Sequence, residues 1–364
     1  MIYNTKTSYQ TDYSSLKVEN IGGWTVLKAY KYRIYPNEEQ KEQLSKIFGS
    51  CRFVYNKTLA YRKESFEKNK KHLIVKDCID YYNNELKKEN IWLSETDEQA
   101  LISSIYHMEV AYRQSFRKNR TYPKFKSKHD SHKSYTTNTT SEEIVIDFPN
   151  DTIKLPMLPA IKAKLHREFT GQIKSATVSL TSSGKYFVAI LADAEHQEIP
   201  QTTKSIGLNL KTKDSCVTSD GSEYIYDDFT SKYAKRLARL QKQLKHKEKG
   251  SNNYYKLKKD IALCHERITN VKKDNLHKIT HDIVSENQVI IHEASQINNK
   301  TGDHYALLND FLKILEYKAK WNNRTLVKID PCVIGTLPDS HSNQSLNPQE
   351  TAKHILTTGL NQLA

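Results

Sequence analysis

The residues around Pro36 constrain the fold more than any other stretch. Tyr30, Tyr32 and Ile34 alternate with Lys31 and Arg33, the period-two pattern of a half-buried strand. Beyond Pro36, Leu44, Ile47, Phe48, Cys51, Val54, Tyr55 and Leu59 fall on one stripe of a helix. Pro36 ends the strand, and Asn37 with Gln40 three residues on makes a capping box. The chain therefore passes from a strand straight into a long helix. Residues 1–24 are polar and patternless, and residues 1–25 read as an extension or a disordered tail.

More helices follow to about residue 117, among them LSETDEQALISSIYHMEVAYRQSF, with Ser94 and Asp97 near its start. Residues 113–135 are basic with interleaved aromatics. Cations contact phosphates and aromatics stack on bases; the plainer reading is a solvated linker with a few buried rings. Between 143 and 195 the segments EIVIDF, TIKLP, QIKSATVSLT and KYFVAILADAE read as strands. With the early strand they close a small barrel or sheet. Two basic amphipathic helices flank the turn KGSNN, one carrying Tyr233, Leu237, Leu240 and Leu244, the other Leu257, Ile261, Cys264 and Ile268. Then come a strand (QVIIHEASQ), a helix (NDFLKILEYKAKW), a strand (TLVKID) and a last helix. Asn347 caps that helix, Pro348 suits its first turn and Glu350 completes a capping box. No P-loop, G-x-G-x-x-G or solenoid repeat is present.

The chain has 56 Lys and Arg against 42 Asp and Glu, a net charge of +14. Such an excess points to nucleic acid before other partners. The five cysteines are scattered without a C-x-x-C pair, which suits reduced thiols inside a cell. No apolar run reaches the length of a membrane span and the start lacks the features of a signal peptide. The expectation is a cytoplasmic protein, nucleoid-associated when bound to DNA, with no membrane partner.

One residue is out of place. In IGLNLKTKDSCVTSDG, residues 206–221, Asn209 sits mid-strand, where Asn is depleted. Several stretches in a fixed order bear on it: KAYKYRIYPNEEQ, SCRFVYNKTLAYRKE, HKITHDIVSENQVIIHEASQ, FLKILEYKAKW and AKHILTTGL. Together they resemble TnpB, the transposon-encoded RNA-guided nuclease and relative of type V CRISPR effectors, from about Leu27 to the end. The resemblance implies an α+β multidomain chain. It comprises a split β-barrel wedge domain (26–36 and 121–203), a helical recognition lobe (37–120) and a RuvC-type, RNase H-like domain (204–364) with a helical hairpin inserted at about 229–275.

The resemblance also implies three carboxylates holding two divalent metals. Here the first position holds Asn209, with Asp220 and Gly221 matching the end of the hairpin that follows. The second holds Glu293, whose usual acidic neighbour is Ala294. The third, a D-x-N-A-A pattern, is filled by Pro348, Gln349, Glu350, Thr351 and Ala352. The family's four-cysteine zinc ribbon has no counterpart around Cys332, so zinc is not expected. With Asn209 and Pro348 in place of two aspartates, the pattern is similar to the nuclease-dead repressors of the family (TldR). The expectation is a chain that is not an enzyme. It needs no cofactor, carries a guide RNA as bound partner, and represses transcription by occupying double-stranded DNA beside a short motif. Residual metal-dependent cleavage and an inert transposon relic remain as alternatives. Arg52 is expected to touch phosphate or RNA, its plainer reading being a surface arginine. SYTTNTTSEEI is similar to a TnpB stretch near the adjacent motif, so Thr140, and after it Tyr135 and Asn138, are expected to make base-edge or phosphate bonds there, the plainer reading being turn chemistry. Gln99 and Ile102 depart from the family at positions near that motif.

Overall fold

The computed structural model describes residues 18–20, 23–117, 122–138, 144–195, 199–210, 215–226, 231–293, 303–330 and 347–363. The chain divides into two compact units, Met1–Glu195 and His196–Ala364.

In the first unit the strands are β1 (Val18–Asn20), β2 (Gly23–Tyr35), β3 (Lys133–Asn138), β4 (Val145–Asp147), β5 (Thr152–Lys154), β6 (Ile161–Lys164), β7 (Ile173–Leu180) and β8 (Tyr186–Glu195). They form a curled antiparallel sheet in the order β3-β7-β8-β2-β6-β5-β4, with β1 beside β2. The longest ladder joins β2 to β8, from Thr25↔Glu195 to Ile34↔Tyr186. Tyr30, Tyr32 and Ile34 point into the core while Lys31 and Arg33 face out, as the alternation requires. Among the described residues no pairing joins the end strands β3 and β4, so the barrel expected from the sequence is a curled sheet here.

The helices of this unit are α1 (Glu38–Asn69), α2 (Val75–Tyr81), α3 (Lys87–Glu89) and α4 (Glu98–Arg117). Asn37 and Gln40 make the reciprocal capping bonds, at 2.8 and 3.0 Å. The stripe from Leu44 to Leu59 is buried against Ala100, Leu101, Ile105 and Met108 of α4 and the inner face of the sheet. Asp97 accepts the Gln99 N–H at 3.0 Å where α4 begins. Two strands escape the sequence reading. In IKAK only Ile161 and Ala163 face inward, and KSYTTN looks polar although Tyr135 and Thr137 are buried. The tail is corrected as well: β2 starts at Gly23 and pairs with Val18–Asn20, because backbone ladder bonds extend a strand past its apolar pattern.

The second unit holds β9 (Ser205–Asn209), β10 (Ser215–Thr218), β11 (Glu223–Ile225), β12 (Val289–Glu293) and β13 (Thr325–Ile329) in the order β11-β10-β9-β12-β13. β9, β12 and β13 run parallel and the hairpin partners antiparallel. The helices are α5 (Ser231–Lys245), α6 (Asn252–Glu286), α7 (Asp303–Trp321) and α8 (Pro348–Leu363). α5 and α6 pack as the expected hairpin, but α6 continues as one helix to Glu286 and buries Leu276, Ile279 and Ile283 with Phe311 and Leu315 of α7. On the opposite face of the sheet Ile291 and Ile329 pack against Ile355 of α8.

Among the described residues no helix is long and apolar enough to cross a membrane.

Candidate functional site

Strand parity explains Asn209. Ile206 and Leu208 of β9 belong to the core under α6 and α7. Gly207 and Asn209 therefore face the other way, toward α8. In β12 the register Ile291↔Gly207 and His292↔Leu208 puts Glu293 one step further on, on the same face as Asn209. Gly207 lets α8 come close, since a Cβ there would lie 2.2 Å from the Ala352 carbonyl oxygen. Asn347 accepts the Gln349 N–H at 3.2 Å and Glu350 accepts the Asn347 N–H at 3.3 Å, which fixes the start of α8. The Asn209 side-chain amide then donates to the Pro348 carbonyl at 3.0 Å. Asn209, Glu293 and Pro348 thus converge where two parallel strands end and α8 begins. Asn209 is 4% exposed and Glu293 5%.

Their neighbours are tied as well. His292 Nδ1 donates to the Glu293 carbonyl at 2.9 Å, and burial lowers the His292 pKa. Asp220 is in the turn closed by Gly221 (φ 96°), beside Gln349. Burial pushes its carboxyl up, but hydrogen bonds from the Thr218 hydroxyl and from Ser222 hold it below its ordinary value.

Two divalent ions want several charged oxygens. The described donors at the convergence are one carboxylate, an amide engaged with a carbonyl, and that carbonyl. Among the described residues no group of three His, Cys, Asp or Glu side chains is placed to hold a metal ion. These described donors supply fewer charged oxygens than two divalent ions want. The geometry makes a prediction for Asn209→Asp. The substitution removes the amide donor and sets a carboxylate against the Pro348 carbonyl and beside Glu293, so burial and repulsion raise the pKa of the introduced group in the folded state. A raised carboxyl pKa makes stability fall as pH rises through the unfolded value. A loss of about 1–3 kcal/mol at pH 7 is expected, recovered toward pH 4, in urea unfolding across that range.

The other expected residues lie in the first unit. Arg52 is half-buried on α1 and lines a concave slot. Asn138 is exposed and its amide donates to Ser103 at 3.4 Å. Tyr135 is 3% exposed, packs edge-on against Phe48 at 5.6 Å and lies in the core of the first unit. Its neighbour Thr137 bonds to Asp97, a tie between β3 and α4 that sequence reasoning missed. Gln99 and Ile102 are half-buried on α4. Thr140, Ala294 and Cys332 lie outside the described residues. Part of the basic stretch is pinned to α1: the Asn56 side-chain amide donates to the Lys126 carbonyl at 2.9 Å and accepts the Lys126 N–H at 2.8 Å. The Lys126 ammonium sits 4.3 Å from the Tyr55 ring, and its burial lowers its pKa. Phe125 stays exposed.

A family model described as "Helix-turn-helix domain", from the IS605 OrfB proteins, matches residues 26–71, and the "Probable transposase" model of those proteins matches residues 185–299. The chain is 30% identical over 332 residues to "Putative RNA-guided DNA endonuclease InsQ" of Escherichia coli (strain K12), covering 84% of this chain and 81% of that protein. It is 29% identical over 318 residues to a similarly named protein of Streptomyces pristinaespiralis, covering 84% and 78%. Among solved structures, the fold is similar to that in a cryo-EM structure of the Cas12f1-sgRNA-target DNA complex, with a TM-score of 0.55 at 12% identity over 91% of this chain and 98% of that one. These relatives correct the expectation of a chain that is not an enzyme. A match across 84% of the chain to a protein named as an endonuclease points to an enzyme.

Proposed function

Because this chain belongs to the TnpB/IS605 OrfB family, we propose that it is an RNA-guided DNA-binding protein of the endonuclease class for which its relatives are named, and that occupancy of its target also represses transcription. The observation that carries the reading is the InsQ match, which runs through both compact units at 30% identity. The net charge of +14 supports phosphate partners, and the fold likeness to Cas12f1 supports an architecture able to hold a guide–target duplex. In this reading the curled sheet is the wedge domain, α1 to α4 the recognition lobe, and the second unit the RuvC-type domain with α5 and α6 inserted. Guide RNA is the bound partner. Pairing between guide and target supplies sequence specificity while the protein grips the heteroduplex by its backbone, next to a short DNA motif read in part by Asn138. Zinc plays no part in this assignment. Occupancy of a promoter then excludes polymerase.

Sequencing the RNA that copurifies with the protein gives the guide, and chromatin immunoprecipitation maps the occupied sites. Discrete peaks matching that RNA, with a drop in transcription of the adjoining gene, are expected. Peaks unrelated to the RNA, or unchanged transcription at matched sites, contradict the reading.

A further inference from the structure

The slot that Arg52 lines has a volume of about 670 Å³, and four features set it apart from an ordinary surface hollow. Gly49 lines it and has nothing within 4 Å of where a Cβ would stand. A bare glycine inside a long helix is unfavourable relative to alanine, and its use is to let something approach the backbone. One wall is aromatic: Phe53 and Trp92 meet edge-to-face at 5.1 Å, and Trp92 remains 44% exposed. Met157, also on the lining, holds φ at 60°, a left-handed conformation that β-carbon residues avoid, and is 60% exposed. The strained turn thus holds a flexible apolar side chain at a wet edge. The polar groups are mixed, with Arg52 and Lys46 as cations and Glu95 as a carboxylate.

From this we propose that the slot takes one unstacked nucleobase of a single-stranded nucleic acid, stacked on Trp92 and covered by Met157, with its phosphate on Arg52 or Lys46. Aromatic platforms bind bases through their π-faces. The mixed charge favours a base with one phosphate over a free polyphosphate, and Glu95 suits a base carrying an exocyclic amine, which donates to a carboxylate. The proposal rests on the nucleic-acid reading above and adds a site to it. The source is guide RNA or displaced DNA, which share this chemistry.

The test uses the full-length protein freed of nucleic acid by high salt. It is titrated with two short oligocytidylates, one RNA and one DNA, each carrying a single 2-aminopurine whose fluorescence falls on stacking. Trp92→Ala is expected to weaken binding by about tenfold and to remove the quenching. Gly49→Leu adds a side chain to the lining and is expected to weaken binding similarly while leaving the melting temperature unchanged or higher, since leucine favours the helix. Loss with the RNA assigns the slot to the guide; loss with the DNA assigns it to the displaced strand. Wild-type binding and quenching by both variants, or weakening only in step with a lower melting temperature, overturns the proposal. Guide-matched duplex binding by the wild-type protein is scored separately, so failure of the slot is distinguishable from failure of RNA-guided binding.

Discussion

Glu109→Ala is expected to destabilise the first unit by about 3–5 kcal/mol, the loss that follows when a buried ion pair is left with one partner. Glu109 on α4 pairs with Arg62 on α1, and both side chains are buried. The same carboxylate also accepts from Arg113. The Arg62 guanidinium lies 3.8 Å from the Tyr112 ring centroid, and its Nε is a buried donor with no hydrogen-bond partner among the described residues. The network is incompletely satisfied before any change is made. Removing Glu109 strands a charge between the two helices that carry most of the unit's helical core. Replacing both partners, Arg62→Met with Glu109→Leu, removes charge and counter-charge together and should cost much less. Urea unfolding of the single and double variants decides the matter; a single variant no worse than the double one would show that the pair does not hold α1 to α4.

Gly207→Ala carries the second large effect, a loss of about 3 kcal/mol from overpacking. The added methyl would sit 2.2 Å from the Ala352 carbonyl oxygen and 2.8 Å from the Leu356 nitrogen. Both are backbone atoms, so relief requires α8 to move off the sheet, drawing Pro348 away from Asn209. Two other glycines serve as controls. At Gly359 the nearest atoms belong to the Ile291 side chain, 2.4 Å away, so part of the strain can relax and the cost should be smaller. At Gly49 nothing is within 4 Å, and Gly49→Ala should gain about 1 kcal/mol. Thermal unfolding of the three alanine variants gives the order directly, and Gly207→Ala melting like wild type would contradict the close packing of α8.

Much of this was legible beforehand where local chemistry and apolar pattern agree. Pro36, Asn37 and Gln40 mark the passage from β2 to α1, and Asn347 with Glu350 marks the start of α8. The strand containing Asn209 was also readable, and parity places its side chain once the neighbouring helices are known. Legibility failed where a strand is short or polar. The four residues of β6 give only one alternation and a half. In β3 the buried Thr137 is satisfied by Asp97, far off in the chain, so its hydroxyl looks like surface in the sequence. Tyr135, a lone ring among threonines, likewise carries no sign in the sequence of which face it takes. The slot beside Arg52 left a faint trace: a glycine inside the helical pattern and a tryptophan in the aperiodic NIWLSE. Neither signal says that the two meet. The enzyme assignment lay beyond the reach of single positions, because it rests on likeness over the whole chain.

The central claim is that RNA directs this protein to DNA. The most direct measurement is the affinity of the purified protein–RNA complex for a duplex matching its copurified RNA, against the same duplex with the matched segment scrambled, at physiological salt with magnesium and with product lengths scored. The account predicts a preference of about a thousandfold for the matched duplex, the range of specific over non-specific DNA binding. Equal affinity for the two duplexes would contradict it.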